Sequence, residues 1–119
     1  MATPNIVNVA TINAKNAAGA ITTSRAAAVD VPAEKVAKIN TILIANIDGT
    51  NAADVTIEVS IDNGSNYVAI AKTISVPADA TLSFLENPIY LDETDLLAVT
   101  ASANSDLTYL VSYEEMKDA

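Results

Sequence analysis

An all-β fold, a single antiparallel β-sandwich of jelly-roll or immunoglobulin-like type with an extended N-terminal arm, is the class this sequence predicts. Three observations carry it. Apolar and polar residues alternate with period two through the second half of the chain, as in Val55-Thr56-Ile57-Glu58-Val59-Ser60-Ile61-Asp62. From about residue 20, seven or eight short strand candidates recur at spacings near ten residues, with turn residues between them. The apolar mass is Ala, Val, Ile and Leu, with only four Tyr and Phe84 as aromatics. A chain of 119 residues holds one domain.

The elements follow in order. Residues 1–20 differ in texture from the rest. Ile6-Val7-Asn8-Val9-Ala10-Thr11-Ile12 has strand propensity, and Asn13 to Gly19 is small and polar. This stretch reads as an arm, which fully extended would reach roughly 65 Å, farther than a domain of this size is wide. Ile21 to Val31 reads as an early strand ending before Pro32, although Ala26-Ala27-Ala28 could seed one helical turn. The apolar run from Ile39 to Ala45 is a strand buried on both faces or a core helix, and its Ile and Thr content favours the strand. After the Val55 strand, Asp62-Asn63-Gly64-Ser65-Asn66 supplies the positive φ that a tight hairpin needs. Val68, Ile70, Ile74 and Val76 then share one face, which Lys72 interrupts, so Lys72 sits near an edge or its stem snorkels. Asn87-Pro88 breaks or bends the strand begun at Leu82, and Ile89-Tyr90-Leu91 resumes it. A strand spans Leu96 to Ala103, and the last sets Leu107, Tyr109, Val111 and Tyr113 on one face. The boundaries are therefore 1–20 for the arm, 21–113 for the sandwich and 114–119 for a polar tail.

Composition removes whole classes of function. The chain has no Cys, no His and no Trp. That excludes a disulfide framework, a thiolate metal site, a Cys nucleophile and the commonest general base. Ser60, Ser75 and Ser112 have no His with which to form a triad, and three glycines (Gly19, Gly49, Gly64) make no phosphate loop. No catalytic, cofactor or metal residue is assigned. Fifteen acids against six bases, a net charge of −9, argue against nucleic acid and against an anionic membrane surface. Residues 1–12 have no basic n-region or apolar h-region of the secretory type. The charge is also uneven: residues 1–38 carry a net +2 and residues 39–119 a net −11. Either this is chance in a small count, or the front segment lies against an acidic surface of its own domain or of a neighbour.

Ile21-Thr22-Thr23-Ser24, Val31-Pro32-Ala33, Asn46-Ile47-Asp48-Gly49-Thr50-Asn51-Ala52-Ala53-Asp54-Val55-Thr56, Ile70 to Ala78, Pro88 to Glu93, Thr100 to Ala103 and Val111-Ser112-Tyr113 carry a resemblance. The stretch from Ile21 to Tyr113, about four fifths of the chain, resembles small virion structural proteins of tailed bacteriophages. The resemblance implies a non-enzymatic β-sandwich subunit, made in the host cytoplasm. Its foremost role would be a capsid decoration (cement) protein on the outer capsid surface, bridging neighbouring capsid subunits. Its partners would be the major capsid protein or another virion protein, with homo-oligomers, trimers among them, at symmetric positions. Alternatives are a neck or tail accessory protein, or a receptor- or carbohydrate-binding module of a fibre. The resemblance transfers no site residues.

The candidate partner-binding residues come from the sequence itself. If residues 1–20 lie outside the core, Ile6, Val7, Val9 and Ile12 must bury against a neighbour, most simply by strand addition to a sheet edge. The alternative is a strand within the chain's own sandwich. Tyr109 and Tyr113 share a strand face, either for core packing or as interface contacts, where Tyr is enriched. Loop acids Asp48, Asp54, Asp62, Asp92, Glu93, Asp95 and Asp106 are solvated turn residues or, at Asp92-Glu93-Thr94-Asp95, a calcium site without EF-hand spacing.

Overall fold

The computed structural model describes residues 9–118. Among the described residues nine strands build two antiparallel sheets: β1 (Val9–Ile21), β2 (Ala26–Asp30), β3 (Lys35–Asn46), β4 (Ala53–Ser60), β5 (Val68–Val76), β6 (Thr81–Ser83), β7 (Ile89–Leu91), β8 (Leu96–Ala101) and β9 (Leu107–Asp118). The first sheet has the order β1-β9-β3-β6, with β7 also on β3, and the second has β2-β8-β4-β5. β6 and β7 lie end to end along β3, opposite Leu43–Ala45 and Ala37–Ile39. They act as one strand interrupted by the segment that holds Pro88, which has no N–H to give a ladder. Counted so, eight strands in this order form a jelly roll, the first of the two sandwich types expected.

Ile21, Val29, Ile39, Ile42, Ile44, Val55, Ile57, Leu97, Val99, Leu107 and Val111 fill the space between the sheets and are essentially inaccessible to water. Their branched side chains stand perpendicular to each sheet and interdigitate, which is why a chain with one Phe can still close a core. β3 is a strand, but from Ile39 onward it is buried on one face only. Ala37, Ile39, Ile42 and Ile44 point inward, a bulge at Asn40 preserves that set, and Leu43 and Ala45 face outward half-covered. A two-layer sandwich leaves each strand one outer face, so the run from Ile39 gains no second buried side.

Other departures have physical causes. β1 runs without a break across the boundary expected at residues 20/21 and pairs residue by residue with β9 from Thr11↔Lys117 to Ile21↔Leu107. Residues 9–20 therefore join a sheet of their own chain. Residues 114–118 continue β9 where a polar tail was expected. The strand expected over 21–31 is divided at residues 22–25, where the chain crosses from one sheet to the other. In β5 the pairs Glu58↔Ala69, Ile57↔Ala71 and Val55↔Ile74 leave extra residues at Ile70 and at Lys72/Thr73, and Thr73 has φ of 48°. These two bulges break the face expected to unite Val68, Ile70, Ile74 and Val76. Val76 is buried, whereas the other three are exposed. The expected hairpin turn forms, with φ of 58° at Asn63 and 88° at Gly64.

Buried polar groups are bracketed by hydrogen bonds. Asn46, 3% exposed, donates its amide to the carbonyls of Asn51 (3.0 Å) and Val76 (2.9 Å) and accepts the Asp48 N–H at 2.8 Å. It ties the 47–52 loop to the end of β5. The Ser60 hydroxyl donates to Asp62 and accepts the Gly64 N–H, both at 2.8 Å, fixing the hairpin after β4.

Candidate interaction surface

Register assigns each residue of the first sheet to a face. Residues paired with inward side chains point inward, and the others form the outer face. Five rows cross that outer face. They are Ala20–Thr108–Ala45–Thr81, Ala18–Leu110–Leu43–Ser83, Asn16–Ser112–Thr41, Ala14–Glu114–Lys38–Tyr90 and Ile12–Met116–Val36. The first three rows contain no charge. They offer small residues, hydroxyls, and Leu110 and Leu43 at the centre, with Ser112 bonded to Asn16. The result is a neutral face in a molecule of charge −9.

The acids are concentrated at the two ends of the sandwich. One end holds Asp48, Asp79 and Asp106, where the Ile47 N–H bonds to the Asp106 carbonyl (2.8 Å) and the Asp79 N–H to that of Asp48 (3.2 Å). The other end gathers Glu34, Asp92, Glu93 and Asp95, where the Val31 N–H reaches the Asp95 carbonyl (3.0 Å) and the Glu34 N–H the Glu93 carboxylate (2.8 Å). Most of these carboxylates work as backbone acceptors. The Asp48 carboxylate takes the N–H groups of Thr50 and Asn51, which lowers its pKa. Asp62 takes the side-chain amide and N–H of Asn66, with the same effect. Asp95 is buried, and desolvation raises its pKa although it accepts the Asp92 N–H at 2.9 Å. Among the described residues no three carboxylates, at Asp92 to Asp95 or elsewhere, converge to hold a metal.

The basic front segment finds its acids within the chain. Lys15 on β1 and Lys35 on β3 both reach Glu115 on β9, at 3.2 and 3.1 Å. Lys38 lies 3.9 Å from Glu114, and Arg25 bonds Glu58 at 2.9 Å while its guanidinium sits 4.0 Å from the Tyr67 ring centroid. All four bases of residues 1–38 thus meet acids of residues 39–119, so the charge asymmetry is matched inside one molecule. Glu115 is 4% exposed. Burial opposes its ionisation, but the bonds from Lys35 and Lys15 outweigh that and its pKa is lowered. Sequence reading missed this clamp across three strands, because its members are about 20 to 100 residues apart and Glu114-Glu115 reads locally as polar tail.

The expected partner-binding residues are dispersed. Val9 is half-buried and Ile12 is 59% exposed, both on β1. Ile6 and Val7 lie outside the described residues. Tyr109 and Tyr113 face inward and pack half-buried against the core, with the Tyr109 ring over Gly19, where an added Cβ would sit 3.4 Å from it. Ile61, Val68 and Ile70, along and beside β5, are exposed, which the sequence did not signal. Ile70 is the extra residue of a β5 bulge, which leaves no local signal, Val68 lies opposite Val59 at the open edge, and Ile61 lies in the loop after β4.

No family model matches the chain, and no curated protein matches it in sequence. Solved structures do. A chain of the Bacillus endospore appendages, described as a family of disulfide-linked pili, superposes with a TM-score of 0.58 at 13% identity, covering 94% of this chain and 90% of that one. A chain from the acid-stable capsid of Helicobacter pylori bacteriophage KHP30 gives 0.54 at 6% identity, covering 93% and 91%. At these identities the likeness is one of fold.

Proposed function

We propose that this chain is a non-enzymatic structural subunit of a bacteriophage virion, a decoration (cement) protein that bridges neighbouring capsid subunits on the outer surface of the particle. The observation that carries the reading is the uncharged outer face of the first sheet, set between two acidic ends. A neutral sheet face can seat on another protein without stripping water from ions, whereas the acidic ends stay solvated and repel nucleic acid. The likeness in fold to a phage capsid chain supports the same reading. Ile6, Val7, Val9 and Ile12, in the 1–20 segment, add apolar contact with a neighbour, while Tyr109 and Tyr113 support the sheet from its inner face. Repetition over a symmetric lattice multiplies a modest interface through avidity.

The test is particle integrity under heat or low osmotic strength, with and without the protein. Loss of integrity on its removal is expected, and unchanged integrity overturns the cement role. The variant Leu110→Glu, at the centre of the neutral face, should abolish binding to particles while leaving the melting temperature of the free protein unchanged. A second reading, a subunit of a fibre or of a neck or tail, is favoured by the pilus likeness. Copy number separates the two: cement runs to hundreds per particle, a neck ring to about six to twelve, since closed rings hold few subunits.

A further inference from the structure

The four edges of this sandwich are unequal. β2 has five residues, and β6 and β7 three each. β5 has nine residues but carries two bulges. Short strands and bulges are the usual protection of an exposed edge against pairing with another chain. β1 has neither. From Thr11 to Ile21 it pairs with β9 without irregularity, so its backbone is a regular strand of eleven residues, about 37 Å at ~3.4 Å per residue. It contains no Pro, and its single charged side chain, Lys15, is turned to Glu115 on the inner face. Every second residue of β1 directs its N–H and C=O away from β9, and among the described residues no other strand lies on that side.

We infer that the free edge of β1 pairs with β1 of a second copy, antiparallel and across a two-fold axis. A strand of matched length and regularity satisfies an eleven-residue edge in full, and among the described residues no other edge offers one. An isologous pairing also closes on itself, using both edges and leaving none for further growth. Charge permits it. The one charge of β1, Lys15, is matched by Glu115 of its own chain, and the outward side chains Ala14, Asn16, Ala18 and Ala20 are small and uncharged. The two first sheets would then form one continuous sheet, and their neutral outer faces a platform of double width. This goes beyond the virion reading and is independent of it, because the pairing can be tested on the isolated protein.

The chain has no Cys, so single-cysteine variants report contact cleanly. Ile12→Cys, Ala14→Cys, Asn16→Cys and Ala18→Cys, oxidised and run without reductant, should give a covalent dimer peaking at one position and falling on either side, as antiparallel self-pairing requires. In the unsubstituted protein, alternate amides of residues 11–19 should exchange at least about ten-fold more slowly at high concentration than on dilution. A monomer by light scattering at high concentration would overturn the inference. So would equal cross-linking at all four positions, or β1 protection that is independent of concentration.

Discussion

Glu115→Gln isolates the three-strand clamp. The substitution keeps the shape of the side chain and removes the charge that Lys15 and Lys35 share at 3.2 and 3.1 Å. Removing one partner of a fully buried pair costs ~3–5 kcal/mol. Here the acid is 4% exposed but the lysines are 45% and 34% exposed, so water screens their heads and a discounted cost of about 1–2 kcal/mol is expected. With ~2.1 cal/mol/K per residue of unfolding entropy, that loss lowers Tm by about 4–8 °C in a chain of this length. The pH dependence fixes the cause. The folded pKa of Glu115 is lowered, so its contribution is complete above the unfolded value of about 4.3 and is lost as pH falls through the folded one. Thermal melts of both proteins should therefore show a clear gap at neutral pH that closes by about pH 2. A gap of the same size at both pH values would mean that packing, not charge, holds Glu115, and the reasoning would fail.

Asn46→Ala should cost about 2–4 kcal/mol in urea unfolding, because it leaves the Val76 carbonyl and the Asp48 N–H without their partners. Gly64→Ala should cost about 1–2 kcal/mol, since φ is 88° and the new methyl would lie 3.3 Å from Leu96 Cδ1; a melt reads it. Asp95→Asn tests the opposite pH sign. The folded pKa of Asp95 is raised, so the wild type gains stability as pH falls from neutral through that pKa, and the variant should be more stable at neutral pH and lack this gain.

What the sequence revealed follows from where burial leaves a mark. β4, the Asn63-Gly64 turn and the inward set Leu107, Tyr109 and Val111 of β9 are legible, because alternation and turn chemistry are local. The break at Pro88 is legible for the same reason. β1 is not. As an edge strand it exposes most residues on both faces, so no alternation records its pairing, and Ala-Asn-Gly composition reads as an arm. The slips in β5 arise from extra residues that only its partner β4 reveals. The neutral face needs the register of four strands before its members come together, and Glu115 looks like tail until Lys15 and Lys35 are beside it.

β9 lies between β1 and β3, yet it leaves the ribosome after both. Its rungs to β1 join positions roughly a hundred residues apart, as in Ile12↔Met116. While the chain is being made, β1 and β3 have a gap where β9 belongs, and half the sandwich has no middle. Closure is therefore a late, slow event of high contact order, during which both apolar layers are open to chaperones or to misassembly with sister chains.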